Sequence, residues 1–364
     1  MVWRSVPGPD PAVRQSAVPP AAGAMPAGTR ARVPLWLRVL LSTALLFAII
    51  WFVVVPQFAG VEAALASLES VSLPLVLLAA ALQLSSLLSF SALTAAVLGP
   101  VRPGYFTLLR IDLADLGVNH VVPGGGATAA AVRFRLLVRA GVRSGAALTT
   151  ATIETTVSNL VLGIVFAGGI LLSITTLVVT GTYIVAGTVV LVLLVGACAG
   201  VWFLTRRTEL VVRGALRVAA RVPLISEDRV EVFVRSVAAQ VLELVTDRRR
   251  MSVSLGLAGA NWLLDAASLA ILLAAFGHPL AIGPLLAVYG LGGLLALLPL
   301  TPGGLGIVEG VLVPALVAVG TPHATALLAV VGWRLLEFWL PIPLGLAAYV
   351  SLRFGVRRRR PAVP

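Results

Sequence analysis

The chain has 364 residues, 59% of them hydrophobic and only 12% charged, with a mean hydropathy of +1.02. A soluble domain needs a polar surface that this composition does not supply, so the chain reads as a polytopic membrane protein. The formal net charge of +12 comes from arginine alone and gathers outside the apolar runs, which is the positive-inside pattern and excludes a nucleic-acid surface.

Residues 1–33 are rich in Pro, Ala, Gly and Arg without apolar periodicity, and are expected to form a disordered cytoplasmic tail. Residues 35–55 predict a first span running outward, with Trp36 and Trp51 near its ends. Residues 73–98 return inward. Residues 105–122 and 127–140 flank Pro123-Gly124-Gly125 and carry Arg110, Asp112, Asp115, Asn119, His120, Arg133, Arg135 and Arg139. A single crossing would put the later arginines outside, so the pair predicts a re-entrant hairpin from the cytoplasm. Residues 146–172, with Glu154, run outward and residues 183–204 return. Residues 206–250 form a cytoplasmic connector. Within it, Val230, Val234, Val237, Val241 and Val245 predict a helix, lying either on the inner leaflet or packed on the protein. Residues 252–276, with Asp265, run outward. Residues 280–300 and 305–319 flank Pro302-Gly303-Gly304, and charge placement makes this a hairpin from the outside. Residues 324–352, with Arg334 and Glu337, form the last span before a basic cytoplasmic tail at 353–364.

The expected fold is all-α, with about six full spans and two re-entrant helical hairpins, hence eight or more hydrophobic helices. A shift of 179 positions superposes its two parts. Pro100 meets Pro279, Gly104 meets Gly283, Pro123-Gly124-Gly125 meets Pro302-Gly303-Gly304 and Gly141 meets Gly320. Residues 78–148 share about 20 identities with the shifted stretch, roughly twice what composition gives. With opposite orientations implied by charge, residues 73–172 and 252–352 are expected to be halves of an inverted repeat. That architecture belongs to secondary transporters with broken helices at mid-membrane.

A charge in hydrocarbon is costly, so each buried one calls for a reason. Asp112, Asp115 and Asn119 share one helix face, where they either line a wet cavity or relay protons, or pair with Arg110 and neighbouring arginines. Arg133 either meets a lipid phosphate or marks the cytoplasmic side. Glu309 follows the second loop at a helix N-terminus, which favours a carboxylate. Arg334 and Glu337 are spaced i, i+3 for a salt bridge, which becomes an exchangeable gate if Arg334 also reaches Glu309. Glu154 and Asp265 complete the set. The loop tips Pro123, Gly124, Gly125, Pro302, Gly303 and Gly304 either bind phosphate through their amides or let helices pack closely. Cys198 is the only cysteine, and His120, His278 and His323 lack metal-ligand spacing, so neither a metal nor another cofactor is expected. No Gly-x-Ser-x-Gly, His-Glu-x-x-His or Walker pattern occurs, so an enzyme is not expected.

Residues 119–125, residues 298–309 and residues 334–341 (Arg-Leu-Leu-Glu-Phe-Trp-Leu-Pro) resemble the lysylphosphatidylglycerol synthase transmembrane-region family of flippase-like proteins. The resemblance covers roughly residues 38–352. It implies a lipid-translocating role, with Glu309 and Arg334 carried over as functional residues. It departs in two places. These 364 residues carry no stretch that matches the soluble aminoacyl-transfer domain, so synthase activity is not expected. The first loop continues Gly126-Ala127-Thr128, where many members have Gly-Glu. The expectation is therefore a multi-pass plasma-membrane lipid flippase with both termini cytoplasmic. Its partners would be anionic or modified phospholipids or glycolipids, and a lipid-modifying enzyme where one is coupled to it. A small-solute or ion transporter of the same architecture, or a nontransporting partner of such an enzyme, are the competing readings.

Overall fold

The computed structural model describes residues 72–100, 102–122, 125–173, 199–219, 227–297 and 302–355, with the single positions 188, 192, 195 and 196. The expected span at 35–55, both tails, most of the span at 183–204, Pro123 and Gly124 lie outside the described residues. Every regular element among the described residues is helical. In order these are α1 (Leu73–Leu98), α2 (Tyr105–Val121), α3 (Gly125–Arg139), α4 (Ser144–Ser173), α5 (Thr208–Ala219), α6 (Glu227–Thr246), α7 (Arg248–Ala275) and α8 (Ile282–Ala296). A 3-10 turn (Pro302–Gly304) leads to α9 (Ile307–Ala318) and α10 (His323–Arg334), and a π-helical turn (Leu335–Trp339) joins α10 to α11 (Pro341–Gly355).

Among the described residues, four stretches are long and apolar enough to cross a membrane: α1, α4, α7 and the continuous run His323–Phe354 through α10 and α11. They coincide with four of the six expected spans. Leu77, Leu84, Ile164, Leu263 and Leu346 stand exposed on them, as lipid-facing residues do. The helices α2, α3, α8 and α9 are shorter, at 12 to 17 residues. The connector holds the expected helix as α6. It also holds α5, which the valine spacing did not predict.

Helix ends follow local chemistry. α3 and α9 close in the same way. The Val142 and Gly141 amides bond to the Leu137 and Val138 carbonyls, and the Thr321 and Gly320 amides to Leu316 and Val317. Both are Schellman closures around a glycine with positive φ, at 95° and 98°.

Three pairs dominate the packing: α1 with α7, α4 with α8, and α2 with α11. α1 and α7 run antiparallel. The Ser86 hydroxyl donates to the Asn261 carbonyl, Ser268 to the Ala79 carbonyl, and the Arg250 guanidinium to the Ala96 and Val97 carbonyls. α4 and α8 approach through glycine. A Cβ on Gly169 would fall on the Leu286–Ala287 backbone, and one on Gly290 would lie 2.6 Å from the Phe166 Cβ. α2 and α11 meet at Gly117 and Gly345, again close enough that only hydrogen fits. The largest apolar core joins α1, α4, α7, α8, α9 and α10 around Leu162, Leu269, Leu273, Leu312, Leu316 and Trp333.

Candidate functional site

Three buried polar networks account for most of the charge inside the helical bundle. The first is centred on Arg133 of α3. Its Nη2 lies 2.6 Å from a Glu154 oxygen on α4 and 3.0 Å from Asp112 Oδ1 on α2, and it donates to the Thr94 hydroxyl on α1 at 2.9 Å. Thr94 in turn donates to the other Glu154 oxygen at 2.7 Å. The Phe90 ring lies 5.8 Å from the Arg133 Cζ and covers the guanidinium. Four helices thus contribute to one sealed cluster. Arg110, the expected partner of the acidic face, donates instead to the Phe106 carbonyl of its own helix. Asp115 sits one turn beyond Asp112 with Oδ1 unpartnered. Asn119 belongs to the loop end of α2, its Oδ1 3.9 Å from where a Cβ on Gly126 would sit.

The second network is centred on Arg334 at the end of α10. Nε donates to Glu309 at 2.5 Å, Nη1 to Glu337 at 2.7 Å and Nη2 to the Gly303 carbonyl at 3.0 Å. Each part has a local cause. The backbone of Pro302–Gly304 turns with Gly303 and Gly304 at φ 55° and 71°, and Gly306 follows at 81°, conformations that suit glycine. The turn aims the Gly303 carbonyl at Arg334. Glu309 is the third residue of α9, and its second oxygen accepts from the Gly306 amide at 2.7 Å, the glutamate half of a capping box, since Gly306 has no side chain to return the bond. Glu337 sits in the π-helical turn. Pro341 and Pro343 remove two amide donors from the following turn, so carbonyls before them need other partners. His120 supplies one. Its Nδ1 lies 2.9 Å from the Phe338 carbonyl as donor, and its ring stacks on Phe338 at 4.3 Å. Phe338 also lies 5.0 Å from the Arg334 Cζ, and a Cβ on Gly303 would overlap its ring. The end of α2 is thereby locked against the second loop.

The third network is Asp265 on α7. It accepts from the Tyr289 hydroxyl and the Trp333 indole, both at 2.8 Å. Trp333 precedes Arg334, so the second and third networks meet on adjacent residues of α10. A cavity of about 410 Å³ lies apart from all three, between α3, α4 and α6, lined by Phe134, Leu148, Val232 and Phe233 with Asp228 at its edge.

The structure therefore gathers Asp112, Arg133 and Glu154 at one place and Glu309, Arg334 and Glu337 at another, with Asp265 beside the second. Thr94, His120, Tyr289, Trp333 and Phe338 were not singled out as site residues in the sequence. His120 and Phe338 lay inside the motifs at 119–125 and 334–341, and Trp333 is adjacent to Arg334, but Thr94 and Tyr289 carried no signal.

The two arginine sites differ in two respects. In the first, α3 supplies the arginine and the following helix α4 the carboxylate, whereas in the second α9 supplies the carboxylate and the following helix α10 the arginine. They also differ in sealing. Asp112 and Glu154 side chains are 3% and 1% exposed, whereas Glu337 is 25% exposed.

The family model described as the lysylphosphatidylglycerol synthase TM region matches residues 35–345. Two curated proteins of Methanothermobacter thermautotrophicus, each named UPF0104 membrane protein, are similar over shorter stretches. One is 31% identical over 87 residues, the other 32% identical over 106. The matches cover 24% and 29% of this chain, and 26% and 30% of the relatives, so they span less than a third of either relative's length.

Proposed function

This chain belongs to the lysylphosphatidylglycerol synthase TM region family, and we propose that it moves a lipid headgroup between leaflets through a polar path between its two Pro-Gly-Gly loops. The observation that carries this reading is the state of Arg334. Its planar fork is occupied by three acceptors, but only Glu337 is both a side chain and partly exposed. Glu309 is anchored by the Gly306 amide, and Gly303 is backbone. A headgroup phosphate offers the same paired oxygens as a carboxylate, so it can replace Glu337 on the guanidinium without stranding a buried charge. Acyl chains would stay in lipid along the exposed leucines. The lipid class is an anionic or modified phospholipid or a glycolipid, and the membrane is the plasma membrane with both termini cytoplasmic.

The path would lie between inverted halves, 73–172 and 252–352, each with one re-entrant hairpin, in a fold of six full spans. Helix pairing supports this reading. The bonded α1–α7 positions 86 and 261, 79 and 268, and 97 and 250 each add to 347. The two positions that add to 347 and differ by 179 are 84 and 263, both leucines near the centres of their helices. A two-fold axis relating the halves would therefore pass between Leu84 and Leu263. Under the same shift α4–α8 becomes α11–α2, which are the other two dominant pairs.

The test is reconstitution of the full chain in phosphatidylethanolamine–phosphatidylglycerol vesicles, with fluorescent phosphatidylglycerol scored by quencher access. Transfer above the empty-vesicle rate is expected, and its loss in Arg334→Lys, because a point charge cannot hold three acceptors in one plane. Wild-type protein that is folded yet moves neither this lipid nor a glycolipid analogue would overturn the proposal.

A further inference from the structure

We propose that the sealed Arg133 cluster holds one exchangeable proton on the Asp112–Glu154 pair, and that this proton couples a pH gradient to the transport cycle. The coupling half rests on the lipid-transport reading above; the proton site does not.

Arg133 Nη2 carries two hydrogens but faces three acceptors: Glu154, the Thr94 hydroxyl and Asp112. Glu154 and Thr94 take the hydrogen bonds. Asp112 keeps only proximity at 3.0 Å, and neither of its oxygens accepts a hydrogen bond. The Thr94 hydrogen is committed to Glu154. Of the other Arg133 donor nitrogens, Nε is buried without an acceptor, and Nη1 makes no hydrogen bond to either Asp112 oxygen. Two buried carboxylates therefore share one guanidinium, which leaves the cluster one positive charge short if both are ionised. An anion in that position costs several kcal/mol, and two carboxylates at one site resolve such a cost by keeping a proton.

No other group on the packed elements supplies the missing charge. On α1, Ser91 and Thr94 face Asp112; the buried Ser91 hydroxyl can donate to the Asp112 carboxylate or accept from its carboxyl, and it brings no charge in either case. On α2, Asp115 adds a further negative charge, and Tyr105 donates its hydroxyl to the Leu88 carbonyl. The only charged residue of α11, which packs on α2, is Arg353, and it forms no ion pair with Asp112 among the described residues. α4 contributes Glu154 alone. The Arg334 site has the same two-to-one ratio, but Glu337 reaches its surroundings and Glu309 has a backbone donor. The sealed site is thus the one that needs a proton, and the open one is the one that can admit a headgroup.

Protonation adds a hydrogen to Asp112, neutralises it and frees Arg133 to pair with Glu154 alone. Deprotonation restores the contest for Arg133 across α2, α3 and α4. The first measurement is infrared spectroscopy of the full chain in detergent at neutral pH. Variant-minus-wild-type spectra should lose one carboxylic-acid C=O band in Asp112→Asn and also in Glu154→Gln, because either leaves one carboxylate per guanidinium. Asp115→Asn should retain it. Circular dichroism and gel filtration identify any variant that fails to fold, and the two routes to the same loss are independent. No band difference in either folded variant overturns the proton site. In the second measurement, a gradient of one pH unit across the phosphatidylglycerol vesicles should move the leaflet ratio toward about tenfold, the limit for one proton per lipid. Asp112→Asn should return that ratio to unity. A ratio that ignores the gradient while lipid still crosses overturns the coupling. A lost band with no lipid transfer at all overturns the transport reading and leaves the proton site standing.

Discussion

Replacing Glu309 by glutamine separates the two roles of its carboxylate. One oxygen accepts from Arg334 Nε at 2.5 Å and the other from the Gly306 amide at 2.7 Å. A glutamine amide has one oxygen, so whichever donor it keeps, the other faces an NH2 group. A buried donor left unmatched costs about 1–3 kcal/mol, which is survivable for a fold with this much apolar core. The functional consequence has the opposite sign on binding. Glu309 is the permanent competitor for Arg334, and without its charge a phosphate on Arg334 meets less competition. A charge-assisted hydrogen bond is worth about 1.5–3 kcal/mol, so apparent affinity for anionic lipid should rise and turnover should fall by roughly 10- to 150-fold. The assay is initial flipping rate against mole fraction of fluorescent phosphatidylglycerol, with urea or thermal unfolding in detergent as the stability readout. A fall in affinity with turnover unchanged would refute the competitor role. Unchanged values of both would remove Glu309 from the path altogether.

Glycine contacts make a paired prediction. Gly169→Ala places a Cβ on the α8 backbone and should destabilise by about 1–3 kcal/mol, whereas the adjacent Gly168→Ala meets nothing within 4 Å and should be close to neutral in the same thermal assay. His120→Ala removes the donor to the Phe338 carbonyl and the ring stacked on it, at a cost of about 1–3 kcal/mol for a buried acceptor left alone. Hydrogen exchange should quicken at residues 335–340 and not in α1. In the connector, Arg235 holds the Glu209 carboxyl below its ordinary value through two hydrogen bonds. That stabilisation is present above the free carboxylate range and is lost as pH falls through the lowered value, so acid should loosen α5 from α6, and Arg235→Gln should abolish the pH dependence seen by hydrogen exchange. Finally, cysteines placed at Gly126 and Leu305 in a Cys198→Ser background should react with impermeant reagent from opposite sides. Labelling from one side only would rule out inverted hairpins.

Hydropathy alone located the four long helices, because length and lipid solubility are local properties of a segment. The Pro-Gly-Gly loop at 302–304 was legible for a similar reason: proline and glycine act on the backbone where they stand. Arg334 and Glu337 were legible as neighbours one helical turn apart, and Glu309 as a cap, since both relations are set by helix geometry. The Arg133 cluster was not. Its members lie 21 residues apart in one direction and 21 in the other, on helices that meet only after the hairpin closes on α1 and α4. Sequence offered Arg110 to Asp112 because it is two residues away, but side chains at i and i+2 point to different faces of a helix. Thr94 carries no signal at all among the many small residues of α1. The π-helical turn was equally hidden, although Pro341 and Pro343 announce that carbonyls ahead of them will seek outside donors.

The exchange of polarity between the two arginine sites is the feature that best joins fold to function. Duplicated halves start with identical chemistry, and identical gates would open and close together. Under the inverted-repeat reading proposed above, corresponding helix pairs carry the same bond with donor and acceptor exchanged: Arg133 to Glu154 on α3 and α4, and Glu309 to Arg334 on α9 and α10. The same reading puts the cation on a hairpin arm in one half and on a span in the other. If the arms move while the spans hold, as in an alternating path, the first half carries its positive charge with the moving part and the second keeps it fixed. Arg334 would then exchange its headgroup phosphate in one step, and the proton at the sealed site would shift Arg133 toward Glu154 in another. The two sites are sequential under this reading, and reversing one pair should reveal it. In the double variant Arg133→Glu, Glu154→Arg the local bridge can reform, so the fold should survive while the order of steps is lost. Transfer at the wild-type rate in that variant would show that the polarity is incidental.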